Sequence, residues 1–411
     1  MSSPVDADPA YVAGFTDWLA CACAGVRERA AIAVRATGED LLADVAFAAT
    51  AGHVLDFDDT FSDGVAHVSA ATAPAALVLA AHLGLSLAAT LEAYAEGYEV
   101  MAAVAAASHP ALYDAGWHPT AVCGPIGAAV AASRLLGLPA AQRENAVAVA
   151  LLRAGGTRGA FGSDGKAIQV GLAAAAGVQG ALLARAGASV DRRAIHGPLG
   201  FEAVMGARLE QPGGTGALHG DLGRAIDRNW IKLYPSCLGT HSPIETAARA
   251  RDGGYRFAHE QLEVRVHPVA RQAAHVEVVA DGLAAKFSIP YCVAHTLIHG
   301  PPRVIDFAAI DPAARERSRL VRVTVDRSLP EFGAVLTVAG RELARVPCPR
   351  GAPERPVAAS ELAAKVADLA GTRLDQALAD LGAPAAAALN AAGLGATETA
   401  VSARGRRGTT A

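Results

Sequence analysis

The sequence predicts a mainly α-helical protein: a large all-helical domain followed by a smaller α+β domain. The chain has 411 residues, 52% of them apolar, so it can bury a large core and is expected to form two domains. Alanine dominates the apolar fraction and aromatic residues make up only 5%, which favours closely packed helices. Valine-rich alternation typical of strands is found only after residue 254.

The helical domain is assigned to residues 1–255. From residue 11 to about 250 the chain reads as successive helices separated by Gly, Pro and Asp/Ser signals, without strand-like alternation. Its most apolar stretch, residues 70–89, contains Pro74 and His82 and owes its apolarity mostly to alanine. We therefore interpret this stretch as a buried helix and not as a membrane span.

The smaller domain is assigned to residues 256–357 and is predicted to have an α+β structure. Four segments alternate apolar and polar residues and are predicted as strands: 262–267, 275–279, 320–325 and 334–339. Helical patterning returns after residue 360, so residues 358–395 should pack back on the helical domain, and residues 396–411 are predicted to be a disordered tail. A cleft between two domains is where small-molecule sites usually lie.

Charge and cysteine content exclude several classes of function. The net charge is −4 and the only basic cluster is a short C-terminal one, so no nucleic-acid surface is expected. Six cysteines without a CxxC pair or zinc-type spacing indicate reduced thiols and no metal. Residues 1–8 carry two aspartates and no basic residue, unlike a targeting signal, so we expect a cytoplasmic protein.

Lysine is rare in this chain, and its positions are therefore informative. Only four of the 36 basic residues are lysines: Lys166, Lys232, Lys286 and Lys365. On a solvated surface arginine serves as well, so an arginine-biased chain should keep lysine where a compact ammonium group is needed. The first three stand in the unusual contexts SDGK, KLYPSC and KFSIPYC. They indicate sites.

The first motif is LDFDDT, from Leu55 to Thr60, which His67 follows. Three carboxylates within four residues repel one another unless they are exposed, cap a helix, pair with a cation or take up a proton. DFDDT also matches the nucleophile motif of haloacid dehalogenase-like phosphohydrolases, in which Asp56 would attack phosphorus. Its context is a helical stretch without a downstream acidic pair for Mg²⁺, which disfavours that alternative.

Two further motifs precede helices. In GWHPT, His118 is held extended by the following proline, beside a helix N-terminus that suits a carboxylate; a structural histidine is the alternative. The glycine-rich loop 155–165 leads into Lys166, and its spacing is not that of a nucleotide loop. It could present Arg158 and Lys166 to an acid, or simply connect two helices.

The last two motifs lie around and beyond the domain boundary. KLYPSC brings Lys232, Cys237 and His241 within ten residues, and Cys237 with His241 could form a thiolate pair, although a buried inert cysteine is the commoner outcome. KFSIPYC starts a helix at its proline and places Tyr291 in the first turn. Tyr291 could donate a proton in the cleft or pack in the core.

Together and in this order, the five motifs resemble the MmgE/PrpD family. The resemblance implies a helical domain with an α+β lid, a homodimer, and dehydration, decarboxylation or epimerisation of a small polycarboxylate or hydroxy acid without metal or organic cofactor. Carried over by motif, it implies a site containing Asp56, Thr60, His67, His118, Lys166, Lys232 and Tyr291. Cys237 stands where the decarboxylase branch carries a histidine, and Gln169 where many members have one, so the resemblance is taken to the family and not to one reaction.

These reactions share a carbanion or enolate beside a carboxylate, which needs a base, an acid and a cationic cradle. We expect Lys166, Lys232 and Arg158 to neutralise carboxylates and His118 or His67 to move the proton. Tyr291, or Cys237 with its turn, would serve the opposite face. The alternatives are phosphate-ester hydrolysis and a non-catalytic binding paralogue, for which Cys237 and Gln169 are the only hints.

Overall fold

The computed structural model describes residues 8–209 and 224–395. Within those ranges the protein contains 19 α-helices, six strands and five short 3₁₀ helices, and the large helical part comes first in the chain. Before residue 210 the helices are α1 (Pro9–Gly25), α2 (Arg29–Arg35), α3 (Leu41–His53), α4 (Val68–His82), α5 (Leu87–Ser108), α6 (Ala111–Asp114), α7 (Pro119–Leu135), α8 (Ala140–Leu151), α9 (Gly165–Arg185), α10 (Arg193–His196) and α11 (Phe201–Met205).

Small residues let these helices approach closely. A Cβ on Gly171 of α9 would lie 2.3 Å from the Thr50 side chain of α3, and one on Gly177 would lie 2.4 Å from Ala128 of α7. Contacts that short are not tolerated, so glycine is required where α9 crosses its neighbours. Helix α9 thereby packs against α3 and α7 and carries Lys166 of its first turn into the interior.

The apolar stretch 70–89, predicted as one buried helix, is divided between α4 and α5. Residues 70–80 are buried in the main core as predicted, whereas residues 82–84, where α4 ends, are exposed. Another described helix, α9, has the length and apolar composition of a membrane span. In its most apolar window 61% of the residues are buried inside the protein, as in a core helix.

Two short strands, β1 (Thr60–Phe61) and β2 (Asn229–Trp230), pair antiparallel next to the LDFDDT motif. The smaller unit, which contains the larger sheet, consists of α12 (His241–Asp252), β3 (Leu262–Val266), α13 (Pro268–Ala273), α14 (Gly282–Ala285), α15 (Ile289–His299), α16 (Pro312–Ser318), β4 (Val321–Val325), β5 (Ala334–Val338) and β6 (Arg341–Val346). Its sheet has the order β4-β3-β5-β6, with β3 and β4 parallel and the other pairs antiparallel.

The mainly helical fold with a small C-terminal sheet confirms the predicted class, and three details differ. Residues 275–279 form no strand; His275 makes a single bridge to Ser288. Strand β6 was missed because its sequence, RELARV, is half charged and lies at the sheet edge. Helix α12 packs on α15 and the sheet, so it joins the smaller unit although the sequence-based boundary placed it before residue 255.

The C-terminal helices are α17 (Ala359–Ala370), α18 (Asp375–Leu378) and α19 (Ala385–Ala391). Helix α17 packs on α1, and α19 packs on α4, so the chain returns to the helical part after the sheet. Lys365, one of the four lysines, lies on the buried side of α17. The tail predicted for residues 396–411 lies outside the described residues.

Candidate active site

The candidate site is built around a sharp backbone turn just after α3. Asp56 has φ +52°, a left-handed conformation that aspartate adopts more readily than most residues other than glycine. Its Oδ1 lies 2.9 Å from Lys166 Nζ and 2.8 Å from Lys232 Nζ. Lys232 Nζ also donates to the Asp56 carbonyl at 2.6 Å. The two motif lysines, far apart in the sequence, therefore meet on one carboxylate.

Electrostatics at Asp56 favour the charged form. Burial alone would raise the pKa of its carboxyl, but the Lys166 and Lys232 charges outweigh burial and hold that pKa well below its usual range. Two ammonium groups face one carboxylate, so this trio carries one positive charge in excess. A buried excess of positive charge is suited to an anionic ligand.

The other two lysines bind the backbone of the same turn and do not contact the Asp56 carboxylate directly. Lys286 Nζ donates to the Leu55 carbonyl at 2.6 Å, and Lys365 Nζ donates to the Phe57 carbonyl at 2.6 Å. With Lys232 on Asp56, three successive carbonyls each accept a hydrogen bond from a different buried lysine. All four lysines of the chain thus converge on residues 55–57.

Lys286 and Lys365 differ in their electrostatic surroundings. Burial lowers the pKa of Lys286 to about 8, although Asp56 and Glu28 act in the opposite direction. Lys365 pairs with the buried Asp17 at 2.7 Å. Its burial acts to lower its pKa, but Asp17 prevails and the pKa is raised, so Lys365 is charged at neutral pH.

Two histidines share the carboxylate of Asp58. His53 Nδ1 lies 2.9 Å and His67 Nδ1 lies 3.1 Å from Asp58 Oδ2. An ionised carboxylate accepts hydrogen bonds and does not donate, so both imidazoles donate Nδ1–H and keep a lone pair on Nε2. His67 Nε2 lies 3.7 Å from Asp56 Oδ1, beside the lysines. Burial lowers the pKa of His67 to about 4, so the ring is a neutral acceptor at pH 7.

The three aspartates of LDFDDT occupy three different environments. Asp56 is paired with cations. Asp58 is held ionised because His53 and His67 outweigh the burial that would raise its pKa. Asp59 accepts hydrogen bonds from Ser69 and Asn229, both at 2.6 Å, and burial together with the Asp17 charge raises its pKa well above its usual range. The crowding seen in the sequence is thus relieved by pairing and by protonation.

His118 lies at the start of α7 and faces the same site. Its ring packs edge-on against Phe161 at 4.9 Å and stacks on His53 at 6.0 Å between centroids. Gln169 Nε2 lies 2.6 Å from His118 Nδ1. Burial and then the Lys166 charge lower the pKa of His118 well below its usual value, so this ring is also neutral.

Thr60 and Arg158 lie at the margins of the site. Thr60 begins β1, and its Oγ1 lies 3.3 Å from His67 Nδ1. The Arg158 guanidinium stacks 3.8 Å from the centroid of the Tyr113 ring and reaches Gln272 of α13 at 3.5 Å. Arg158 therefore connects the glycine-rich loop to the smaller unit.

Cys237 and His241 are buried but do not form a reactive pair. His241 Nε2 hydrogen-bonds the Ser236 carbonyl at 3.2 Å, and its pKa is lowered to about 3 by burial and then by Lys232. Burial raises the pKa of Cys237 to about 11, so the sulfur is a thiol at neutral pH. No hydrogen bond joins the two side chains among the residues that the structure describes. The suggested thiolate pair is not what this geometry shows.

Tyr291 is not brought to the histidines and lysines. Its hydroxyl accepts the Asp311 N–H at 3.0 Å, and its ring packs with Ile244 and Phe307. Tyr291 therefore packs in the core, which was the second of the two roles suggested by its sequence. The KFSIPYC motif reaches the site through Lys286 instead.

Sequence reasoning did not place three groups in this cluster: His53, Asp58 and Lys365. The lysine count singled out Lys286 through its KFSIPYC context, whereas Lys365 stands in an ordinary helical sequence. Asp58 was treated as one of three crowded carboxylates, because nothing in the sequence shows that two imidazoles flank it. His53, Asp58 and His67 also offer three donor atoms within 4.8 Å of one another, which could hold a metal ion. In the present arrangement these atoms hydrogen-bond one another.

Comparison with known proteins agrees with the motif order. The sequence profile of the MmgE/PrpD N-terminal domain matches residues 2–211, and that of the C-terminal domain matches residues 234–389. The chain is 30% identical over 209 residues to the cis-aconitate decarboxylase of Homo sapiens, covering 48% of this chain and 42% of that protein. It is 27% identical over 256 residues to the cis-aconitate decarboxylase of Aspergillus terreus, covering 56% and 51%. The chain thus matches about half the length of these relatives.

Proposed function

The chain belongs to the MmgE/PrpD family, and from that premise we propose that it is a lyase acting on a small polycarboxylate. The reaction would pass through a carbanion or enolate beside a carboxylate, without a metal or organic cofactor. The observation that carries this proposal is the buried cluster of Lys166 and Lys232 on Asp56, next to the neutral imidazoles of His67 and His118.

The lysines would bind the substrate's acid groups. Lys166 and Lys232 are nine-tenths or more buried, where an ammonium group interacts with a carboxylate far more strongly than in water. Their excess positive charge would be neutralised when an anionic substrate binds. The same charge would stabilise the enolate that forms when a neighbouring C–H or C–C bond breaks.

One of the two imidazoles would transfer the proton. In decarboxylation, the bond to one carboxyl breaks, CO₂ leaves, and the electron pair stays on the substrate until a proton reaches the carbon. In dehydration, the proton leaves the carbon first and hydroxide departs with a proton from the enzyme. Both sequences need a proton-transferring group within reach of the bound carbon, and His67 and His118 flank the lysine cluster.

The phosphohydrolase alternative through Asp56 receives no support from the geometry. Asp56 follows helix α3, whereas that chemistry needs a nucleophile at a strand end. Its Oδ1 is engaged by two ammonium groups, which reduces its nucleophilicity. That alternative still makes a separate prediction, since its activity would depend on Mg²⁺ and be lost with a chelator.

The test is proton NMR of cis-aconitate and a panel of di- and tricarboxylic acids, incubated with the full chain in D₂O. We expect exchange, decarboxylation or dehydration of at least one compound, with Lys166→Met reducing the rate by at least about 100-fold. Arg185→Met is the matched control, because it removes an exposed cation from the same helix, α9. Full turnover by a folded K166M variant would contradict the proposal. Thermal stabilisation by carboxylates without any turnover would instead favour the non-catalytic paralogue.

A further inference from the structure

The side-chain amide of Gln169 is fixed at both ends by one backbone residue. The Thr157 N–H donates to Gln169 Oε1 at 3.0 Å, and Gln169 Nε2 donates to the Thr157 carbonyl at 3.3 Å. The oxygen of the amide is therefore committed to the Thr157 N–H. The nitrogen end is the one that lies 2.6 Å from His118 Nδ1.

This orientation determines the tautomer of His118. An amide nitrogen donates hydrogen bonds and does not accept them, so His118 Nδ1 must accept from Gln169. In a neutral imidazole the proton then resides on Nε2. The backbone supports the arrangement, because the His118 N–H donates to the Gly156 carbonyl at 2.9 Å, which ties His118 to the same loop.

His67 has the opposite tautomer. Asp58 accepts its Nδ1–H, which leaves the Nε2 lone pair free beside Lys166 and Asp56. When His67 takes up a proton, the imidazolium is stabilised by Asp58. His118 Nδ1 faces the Gln169 amide instead, and an amide can neither take a proton from Nδ1 nor supply one to it. Loss of the Nε2 proton from His118 would leave an imidazolate, which is far too basic to form.

We propose that Gln169 is a positioning residue that holds His118 as a permanent Nε2–H hydrogen-bond donor and leaves proton transfer to His67. This inference rests on the proposed function for its catalytic part only. When the substrate C–H bond breaks, its electron pair stays on the substrate as an enolate and its proton moves to His67 Nε2. The enolate oxygen accepts the Nε2–H of His118, and in the reverse direction the His67 imidazolium returns the proton to carbon.

The direct test is ¹⁵N NMR of the full chain labelled with ¹⁵N-histidine, with the His118 signals assigned by comparison with His118→Asn. The expected result is a neutral His118 ring at pH 7 with the proton on Nε2. A proton on Nδ1, or an imidazolium at that pH, overturns the proposal. Because this measurement needs no substrate, its result tests the tautomer of His118 independently of the proposed lyase activity.

Gln169→Glu supplies the matched perturbation. A carboxylate accepts from Nδ1–H, so the variant should move the His118 proton to Nδ1. It should also raise the titration midpoint of His118 by about two pH units. The other charged or titratable groups around His118 are Lys166, Asp56, His53 and His67, and the substitution leaves them unchanged. Gln179→Glu makes the same change on α9 at a side chain that contacts Arg153, and should leave His118 unaltered.

The kinetic readout separates positioning from binding. With whichever carboxylate is turned over, Q169E should lower kcat at least about tenfold and change KM less than about twofold, because the lysine cradle is intact. Its pH profile should gain a limb that follows the new His118 titration. An unchanged His118 tautomer in folded Q169E, or an unchanged kcat with an altered tautomer, overturns the proposal.

Discussion

Replacement of Lys365 by methionine should destabilise the protein by about 5–7 kcal/mol at pH 7. The ammonium group of Lys365 donates to the carbonyls of Phe57 and Lys232, at 2.6 and 3.0 Å, and pairs with Asp17 at 2.7 Å. Breaking a buried ion pair by removal of one partner costs about 3–5 kcal/mol. Each carbonyl left without its donor adds about 1 kcal/mol.

The cost should depend on pH in a defined direction. Burial raises the pKa of Asp17 even beside Lys365, so in Lys365→Met its carboxyl takes up a proton. The folded variant then binds more protons than the unfolded chain above pH ~4, so its stability falls as the pH rises. The deficit relative to the unsubstituted protein should grow by up to about 1.4 kcal/mol per pH unit until the folded pKa is reached.

Urea unfolding followed by circular dichroism at several pH values between 5 and 8 measures both quantities. The double variant Asp17→Asn/Lys365→Met carries no buried charge at this position, so it should recover part of the loss and show no pH-dependent deficit. If K365M loses less than about 1 kcal/mol, or if its deficit is the same at every pH, the Asp17–Lys365 ion pair does not stabilise the fold.

Three further outcomes follow from the same structure. The pKa of His67 is about 4 in the folded protein and about 6.5 in the unfolded chain, so the unfolded state takes up this proton first as the pH falls. The free energy of unfolding should therefore fall on the order of 3 kcal/mol between about pH 6.5 and pH 4. Urea titrations of His67→Gln should show a smaller fall. Asp58→Asn replaces the carboxylate that stabilises a protonated His67 with a neutral amide, so kcat should drop about 100-fold with little change in KM. A raised KM with an unchanged kcat would instead indicate a binding role. In Gly171→Val the new Cβ would lie 2.3 Å from the Thr50 side chain, so the free energy of unfolding should fall by about 3 kcal/mol. Gly155→Ala is the control, because its Cβ would meet nothing within 4 Å and stability should hardly change. Similar losses for the two variants would show that close helix packing does not require glycine at position 171.

Much of the site could be anticipated because residue rarity carries information. Lysine is uncommon in this chain, and every lysine contacts the Leu55–Phe57 turn. Lys365 shows the limit of the motif approach: it stands in an ordinary amphipathic helix, and only the folded contact with Asp17 distinguishes it.

Other features depend on neighbours that the sequence does not specify. Whether Tyr291 faces the cleft or the core is decided by the rotation of α15, and the Asp311 N–H fixes its hydroxyl in the core. Strand β6 lacks apolar alternation because an edge strand has one partner and much exposed surface. Asp58 gains its role from two imidazoles on either side in space, a geometry that no spacing rule encodes.

The convergence of four ammonium groups on one turn has a consequence for the order of assembly. The partners of residues 55–57 come from positions 166, 232, 286 and 365, so forming the lysine cluster requires the closure of loops that span most of the polypeptide. In a nascent chain from which α17 has not yet been synthesised, the carbonyl of Phe57 and the carboxyl of Asp17 lack the Lys365 ammonium group that they share in the folded protein. Catalytic competence should therefore arise late in biogenesis, after the last of these helices has docked, and not in a partly synthesised intermediate.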